Sequence, residues 1–272
     1  MPKNASMQSA SSQNFHHHKS FCGRCGFTMV EIAIVLTVIG LIVAGVLGGQ
    51  SVIRSAKIQG FIKEIRFYQD AITNFEDKYQ SLPGDMPDAE NYWGAYDPSD
   101  GSGTHNGDGD GKINEPWMAF NHLQQAGFID SGLTDYSGGG WDWENIRLGE
   151  HFPESNIYDD VGFLMCYGDE KRGHIAFHGN FLQIGRGNKA RLPMLSPRIA
   201  KIIDENLDDG IPDSGRLVAG DAALGRPALY RSAGSGYTDC YRSNGKGGDK
   251  YNVLQRDEQC IIAMLLDGEL LN

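Results

Sequence analysis

Two loops rich in acidic residues contain the side chains of this 272-residue chain that are best suited to chemistry. In the first loop, Asn106, Asp108 and Asp110 alternate with small residues, and Gly111 follows them. This spacing matches the front half of an EF-hand loop, in which oxygen ligands at alternate positions wrap a calcium ion around a glycine turn. The spacing predicts a Ca²⁺ site, which the Asn114 side chain or water would complete because the twelfth position holds no glutamate.

The second acidic loop spans residues 204–215 and carries Asp204, Asp208, Asp209 and Asp213. Carboxylates crowded in this way repel one another, and a bound Ca²⁺ would relieve the repulsion. Asp–Gly and Pro–Asp pairs are also common in turns. A solvated turn without metal is therefore the alternative for both loops.

Common catalytic motifs are absent from the sequence: there is no H-E-x-x-H zinc motif, no P-loop and no G-x-S-x-G turn. The 24 basic and 35 acidic residues give a net charge of −11, whereas nucleic-acid-binding domains are normally basic. We therefore expect a protein that is not an enzyme and does not bind nucleic acid.

An apolar segment from Phe27 to Gly49 contains a single charged residue, Glu31. The 22 uncharged residues from Ile32 to Ile53 would form a helix of roughly 33 Å, enough to cross a ~30 Å hydrocarbon layer. Residues 1–26 carry three basic side chains and no acid. The rest of the chain has 21 basic and 35 acidic residues, a net charge of −14. The positive-inside rule predicts a cytoplasmic N-terminus and an external C-terminal domain.

Residues 26–31, GFTMVE, together with the apolar segment after them, resemble the cleavage and methylation motif of type IV prepilins and type II secretion pseudopilins. The resemblance implies that a prepilin peptidase cuts between Gly26 and Phe27 and N-methylates the Phe27 amine, so that residues 1–26 are a leader. It also implies a single-pass protein of the bacterial inner membrane with a periplasmic head, later part of a pilus or pseudopilus. The implied partners are membrane lipid, other pilin or pseudopilin subunits and an inner-membrane assembly platform.

Glu31 distinguishes this segment from a plain signal anchor, because a carboxylate within an apolar segment is costly and usually functional. Pairing with the Phe27 ammonium of the same or a neighbouring subunit would explain the carboxylate and fix the register of packed helices. The large head favours a minor pilin or pseudopilin, and analogy with calcium sites in pseudopilin heads favours a structural ion. The alternative is a membrane-anchored, calcium-dependent binding or adhesion domain that never polymerises.

The pattern after the apolar segment predicts an α+β fold. Apolar residues from Ile53 to Tyr79 recur mostly at three- and four-residue steps, which indicates an amphipathic helix over residues 50–80 that ends before Pro83 and Gly84. The resemblance implies that this helix packs on a small antiparallel-sheet head with long loops, residues 81–272. The predicted strands of the head are 161–166, 174–178, 180–184, 216–219 and 260–265, and its predicted helices are 117–127 and 196–207.

The five cysteines fall into two groups. Cys22 and Cys25 lie in the leader and would leave with it. The exterior of the cell envelope is oxidising, which permits a disulfide in the head. The resemblance implies a Cys240–Cys260 bond near the C-terminus, and pairing of Cys166 with either of these residues remains an alternative.

Overall fold

A computed structural model of the chain describes residues 26–99, 102–134, 146–168, 177–187, 190–220, 240–242, 250–267 and 269–270. The leader before Gly26, with Cys22 and Cys25, lies outside the described residues, as do residues 174–176 of one predicted strand. The chain divides into two compact units, residues 1–51 and 52–272.

Helix α1, Met29–Tyr79, is the longest element, which confirms the predicted long N-terminal apolar helix. By length and composition α1 is apolar enough to cross a membrane. None of its side chains before Ile58 is buried. Four glycines interrupt this exposed part, and no atom lies within 4 Å of the place where a Cβ would stand on any of them: Gly40, Gly45, Gly48 and Gly49.

The second part of α1 buries one face in the head. Its buried side chains, from Ile58 to Phe75, belong to the same apolar cluster as residues of the sheet. The Phe61 and Tyr68 rings, for example, lie 6.1 and 4.5 Å from the ring of Phe163. The helix ends at Tyr79, one residue before the end of the predicted range 50–80, and Gln80 after it takes a left-handed backbone conformation with φ of 54°.

The head contains a small antiparallel sheet, as predicted, so the α+β class is confirmed. The strands are β1 Val161–Gly168, β2 Phe177–Arg186, β3 Leu217–Gly220, β4 Tyr241–Arg242, β5 Lys250–Tyr251, β6 Ile261–Leu265 and β7 Glu269–Leu270. In the sheet the strands stand in the order β1-β2-β6-β3, and the short strand β7 also pairs with β2. A separate pair is formed by β4 and β5.

Two boundaries in the head differ from the prediction. Residues 180–184 form a strand as predicted, but the break predicted between this strand and 174–178 is wrong, because the backbone remains paired to β1 through Gly179 and residues 177–186 form the single strand β2. The helix predicted at 117–127 runs over Pro116–Gln125 as α3, and Gly127 follows with a positive φ of 79°. The remaining helices are α2, Ala89–Trp93, and α4, Pro197–Leu207.

A disulfide joins Cys240 to Cys260, and Cys166 is buried and is not part of this disulfide. The bond closes a loop with a sequence separation of 20 residues. A crosslink across such a loop restricts the unfolded chain and stabilises the fold by about 3 kcal/mol.

Replacing both Cys240 and Cys260 by alanine should therefore lower the free energy of unfolding by about 3 kcal/mol. Thermal unfolding of the full-length protein in detergent measures the loss. Cys166→Ala is the control, because it removes a buried sulfur and leaves the disulfide intact. Equal stability of the double variant and the unchanged protein would contradict the prediction.

Candidate functional site

The predicted cleavage site precedes the first turn of α1. Gly26 and Phe27 are exposed and lie outside the helix, and the Phe27 side chain is 82% exposed. No neighbouring atom lies within 4 Å of a Cβ built on Gly26. The Gly26–Phe27 peptide bond therefore lies on exposed backbone that precedes the helix.

Glu31 closes the start of α1 in a capping box with Thr28. The Thr28 N–H and hydroxyl donate to the Glu31 carboxylate at 2.8 and 2.9 Å, and the Glu31 N–H donates back to the Thr28 hydroxyl at 3.2 Å. This reciprocal arrangement satisfies backbone donors that a helix start otherwise leaves free. The same hydrogen bonds hold the Glu31 carboxylate against Thr28, the residue that follows Phe27. The spacing of threonine and glutamate could have revealed this role of Thr28.

The first acidic loop wraps around a residue that sequence reasoning missed. Asp85 is 4% exposed, and its two carboxylate oxygens accept the backbone N–H groups of Asp110 and Gly111 at 3.0 and 2.9 Å. A Cβ on Gly107 would lie 2.3 Å from the Asp85 carbonyl carbon, so only glycine permits this close approach. Oxygen atoms of Asp85, Asp108 and Asp110 all lie within 4.8 Å of one another.

The two predicted asparagine ligands have different surroundings. The Asn106 side-chain oxygen accepts the N–H of Glu90 at 2.9 Å and thereby joins the loop to α2. The Asn114 side-chain oxygen is buried, and no hydrogen-bond partner for it exists within the described part of the chain. It therefore remains an oxygen that a cation could use.

Electrostatics in the first loop are unbalanced at Asp85. Burial and then the neighbouring Asp108 raise the pKa of Asp85 to about 6, although the Gly111 and Asp110 N–H groups oppose the rise. Lys112 forms an ion pair with Asp110 at 2.9 Å. The Asp110 carboxylate is therefore paired with a lysine, whereas the buried Asp85 carboxylate is stabilised by backbone N–H groups.

The second acidic loop brings Asp204, Asp208 and Asp209 together, again with oxygen atoms within 4.8 Å of one another. Asp213, the fourth predicted ligand, is not part of this group. Asp204 is fully buried in the last turn of α4, where it accepts the Tyr251 hydroxyl at 2.8 Å and the Gly210 N–H at 3.2 Å.

The other two carboxylates of this loop have internal donors as well. Asp208 accepts the backbone N–H groups of Arg216 and Leu217. Asp209 accepts the N–H of Ile211 and the hydroxyl of Ser214. Each carboxylate of this loop accepts two hydrogen bonds, which is compatible with a metal-free turn, and Asp85 and Asp110 of the first loop do so as well.

Burial, followed by the repulsion of Asp209 and Asp208, raises the pKa of Asp204 to about 7, although the Tyr251 and Gly210 donors oppose the rise. A carboxyl whose pKa is raised on folding stabilises the fold at low pH. That contribution is lost as the pH rises from the unfolded value of 3.8 to about 7.

Asp204→Asn should therefore stabilise the metal-free protein above pH 7, by about 1 kcal/mol or a few degrees in Tm after allowance for solvent screening. The asparagine oxygen can still accept the Gly210 N–H while its amide donates to Tyr251. The difference in Tm between variant and unchanged protein, measured in EDTA, should be smallest near pH 4 and largest above pH 7. Glu205→Gln, an exposed change on the same helix, is the matched control. A difference in Tm that stays constant with pH would contradict the prediction.

Both loops present the hard oxygen donors that Ca²⁺ prefers, and neither three-carboxylate set fills the six to eight positions of its shell. The first loop fits the ion better. It has a buried carboxylate with a raised pKa, and the Asn114 oxygen has no partner within the described residues. Asp85, Asp108 and Asp110 would hold the ion there, and its charge would offset their repulsion.

A cleft of about 880 Å³ lies where α1 ends. Five carboxylates line it, and no lysine or arginine is among its lining residues. We call it the acidic cleft, and its carboxylates are those of Glu76, Asp77, Asp85, Asp88 and Asp267. Burial and then the nearby Asp267 and Asp77 raise the pKa of Glu76, which shows that the like charges crowd one another.

No protein-family model matches the chain, no curated protein matches it, and no solved structure matches it. Its function must therefore be argued from its own residues and geometry.

Proposed function

We propose that this chain is a structural, pilin-like subunit that is cleaved after Gly26 and N-methylated at Phe27. It crosses the bacterial inner membrane once, with a cytoplasmic leader and a periplasmic head. A prepilin peptidase processes it, and an inner-membrane platform assembles it with other subunits into a type IV pilus or a type II secretion pseudopilus. We place it among the minor pilins or pseudopilins, and its role is packing and display rather than catalysis.

One observation carries the proposal: an exposed Gly26–Phe27 bond directly precedes an apolar helix whose first turn holds a carboxylate. The exposed part of α1 from Ile32 to Gly49 is almost entirely apolar and has no partner within the described residues. Large exposed apolar surfaces mark membrane or protein contacts. A helix that lies first in lipid and later among other α1 helices supplies both kinds of contact.

The charge at Glu31 supports assembly rather than simple anchoring. Cleavage creates an ammonium group on Phe27, and methylation leaves its charge in place. Packed among apolar helices, an unpaired ammonium or carboxylate would be very costly. The hydrogen bonds from Thr28 hold the Glu31 carboxylate at the start of α1, where the ammonium of a neighbouring subunit would pair with it.

We further propose that the first acidic loop binds a structural Ca²⁺ through Asp85, Asp108 and Asp110. Such an ion would fix the loop that lines the acidic cleft together with the end of α1, and the head would then present one rigid surface to neighbouring subunits.

Intact-mass measurement of protein purified from its own membrane tests the proposal. The expected mass is that of residues 27–272 with one added methyl group. Gly26→Val is the matched control, because space around Gly26 is open and the change should block cleavage without disturbing the fold. An uncut leader on the unchanged protein would overturn the proposal and favour a non-polymerising anchored domain.

A further inference from the structure

One turn of α1 just before the head carries exposed positive charge with no partner. We call residues 52–57 the basic turn, since it contains Arg54 and Lys57. Both side chains are exposed, and neither forms an ion pair within the described part of the chain. Val52 and Ile53 beside them are 68% and 61% exposed.

The basic turn continues the face of α1 that packs on the head. Residues three and four apart lie on the same side of a helix. Arg54 therefore lies in line with Ile58, and Lys57 lies in line with Phe61, both of which are buried in the head. The head-facing side of α1 is covered from Ile58 onward and uncovered at the basic turn.

The acidic cleft has the complementary chemistry. Four of its carboxylates, those of Glu76, Asp77, Asp88 and Asp267, lie outside the proposed calcium site, and no lysine or arginine of the described residues lines the space. Glu76 is half-buried among like charges. A guanidinium or ammonium entering this space would meet several acceptors and relieve their repulsion.

One molecule cannot bring these two surfaces together. Arg54 and Asp77 are 23 residues apart in α1, which corresponds to roughly 35 Å along a helix. Any contact between the two surfaces therefore joins two different molecules.

We propose that the basic turn of one copy of this chain docks in the acidic cleft of a second copy. The inference rests on the proposed function, because parallel α1 helices in a polymer place copies side by side with axial offsets. Docking requires an offset of roughly 35 Å, whereas pairing of Glu31 with Phe27 spans four residues, roughly 6 Å. The docked copy is therefore not the one that pairs at Phe27, and the contact connects subunits that the N-terminal pair does not join.

Charge reversal with rescue tests the docking in cells that assemble the polymer. Combined Arg54→Glu and Lys57→Glu should lower the polymer yield at least about tenfold, and Asp77→Lys with Asp88→Lys should do the same. All four changes together should restore it, because attraction returns with opposite sign. Lys63→Glu is the control on the opposite side of α1 and should stay within about twofold. Asp77 and Asp88 are not ligands of the proposed calcium site, and the calcium-induced rise in Tm of the variant checks that the site still binds the ion. The docking is overturned if the polymer yield of either double variant is undiminished, or if the variant with all four substitutions does not restore the yield.

Disulfide trapping tests the contact without requiring a polymer. Two full-length copies of different size, one with Arg54→Cys and the other with Asp88→Cys, are produced in one membrane with Cys22 and Cys25 changed to serine. Mild oxidation should give a mixed dimer, and Lys63→Cys in place of Arg54→Cys should not. Absence of the mixed dimer, or an equal amount with Lys63→Cys, overturns the docking. An uncut, unassembled protein that still forms the mixed dimer would contradict only the proposed function. A processed polymer that is indifferent to the reversals would contradict only the docking.

Discussion

Glu31→Ala should abolish incorporation into the polymer while membrane insertion and cleavage after Gly26 continue. The change leaves the Phe27 ammonium without a counter-charge among packed apolar helices. Loss of one member of a buried charge pair is severe, and we expect polymer yield to fall by about a hundredfold or more. The amount of processed subunit in the sheared or pelleted polymer, relative to the membrane fraction, measures the effect.

Two further variants separate the charge from the helix cap. Glu31→Gln keeps an oxygen that can accept the Thr28 N–H but has no charge, so it should fail to assemble like the alanine variant. Thr28→Val removes the hydroxyl of the capping box and keeps the charge, so it should assemble at a reduced level. Normal incorporation of Glu31→Ala would falsify the assigned role of the carboxylate.

Calcium should produce the second large effect, a rise in the stability of the head. At a free Ca²⁺ concentration a hundred times Kd, a single site contributes about 2.7 kcal/mol, or roughly 5–10 °C in Tm for a head of this size. Full-length protein in detergent, melted first in EDTA and then with added Ca²⁺, gives the shift. The shift should shrink below pH 6, because Asp85, with a pKa of about 6, must lose its proton to bind the ion.

Matched variants assign the calcium effect to one loop. Asp108→Asn removes a ligand charge from the first loop at an exposed position and should abolish the shift. Asp209→Asn is the equivalent exposed change in the second loop and should leave the shift unaltered. If Asp209→Asn alone abolished the rise in Tm, the calcium site would lie in the second loop. If Ca²⁺ produced no rise in Tm in the unchanged protein, neither loop would be a calcium site.

The features that could be predicted from the sequence are those written in local patterns. The apolar segment and the three- and four-residue spacing after Ile53 predicted the long helix, and short, mostly apolar runs between turn residues predicted most strands. Asp85 was missed because it lies 23 residues before Asp108, and only the fold brings the two carboxylates together. The continuous strand β2 was missed because Gly179 suggested a break, whereas pairing with Gly168 keeps the backbone extended. The cap that Thr28 forms on α1 was not predicted, although its three-residue spacing to Glu31 is that of a capping box.

The four glycines in the exposed part of α1 have a mechanical consequence. Each lowers helix stability by about 0.8–1 kcal/mol relative to alanine, and no tertiary contact within the described residues compensates. In lipid the lack of competing water maintains their backbone hydrogen bonds, and in a polymer neighbouring helices would take over that task. The helical conformation of this stretch would therefore depend on the lipid or the neighbouring helices around it. A subunit passing from bilayer to polymer could bend at these glycines while Ile58–Phe75 stays fixed to the head.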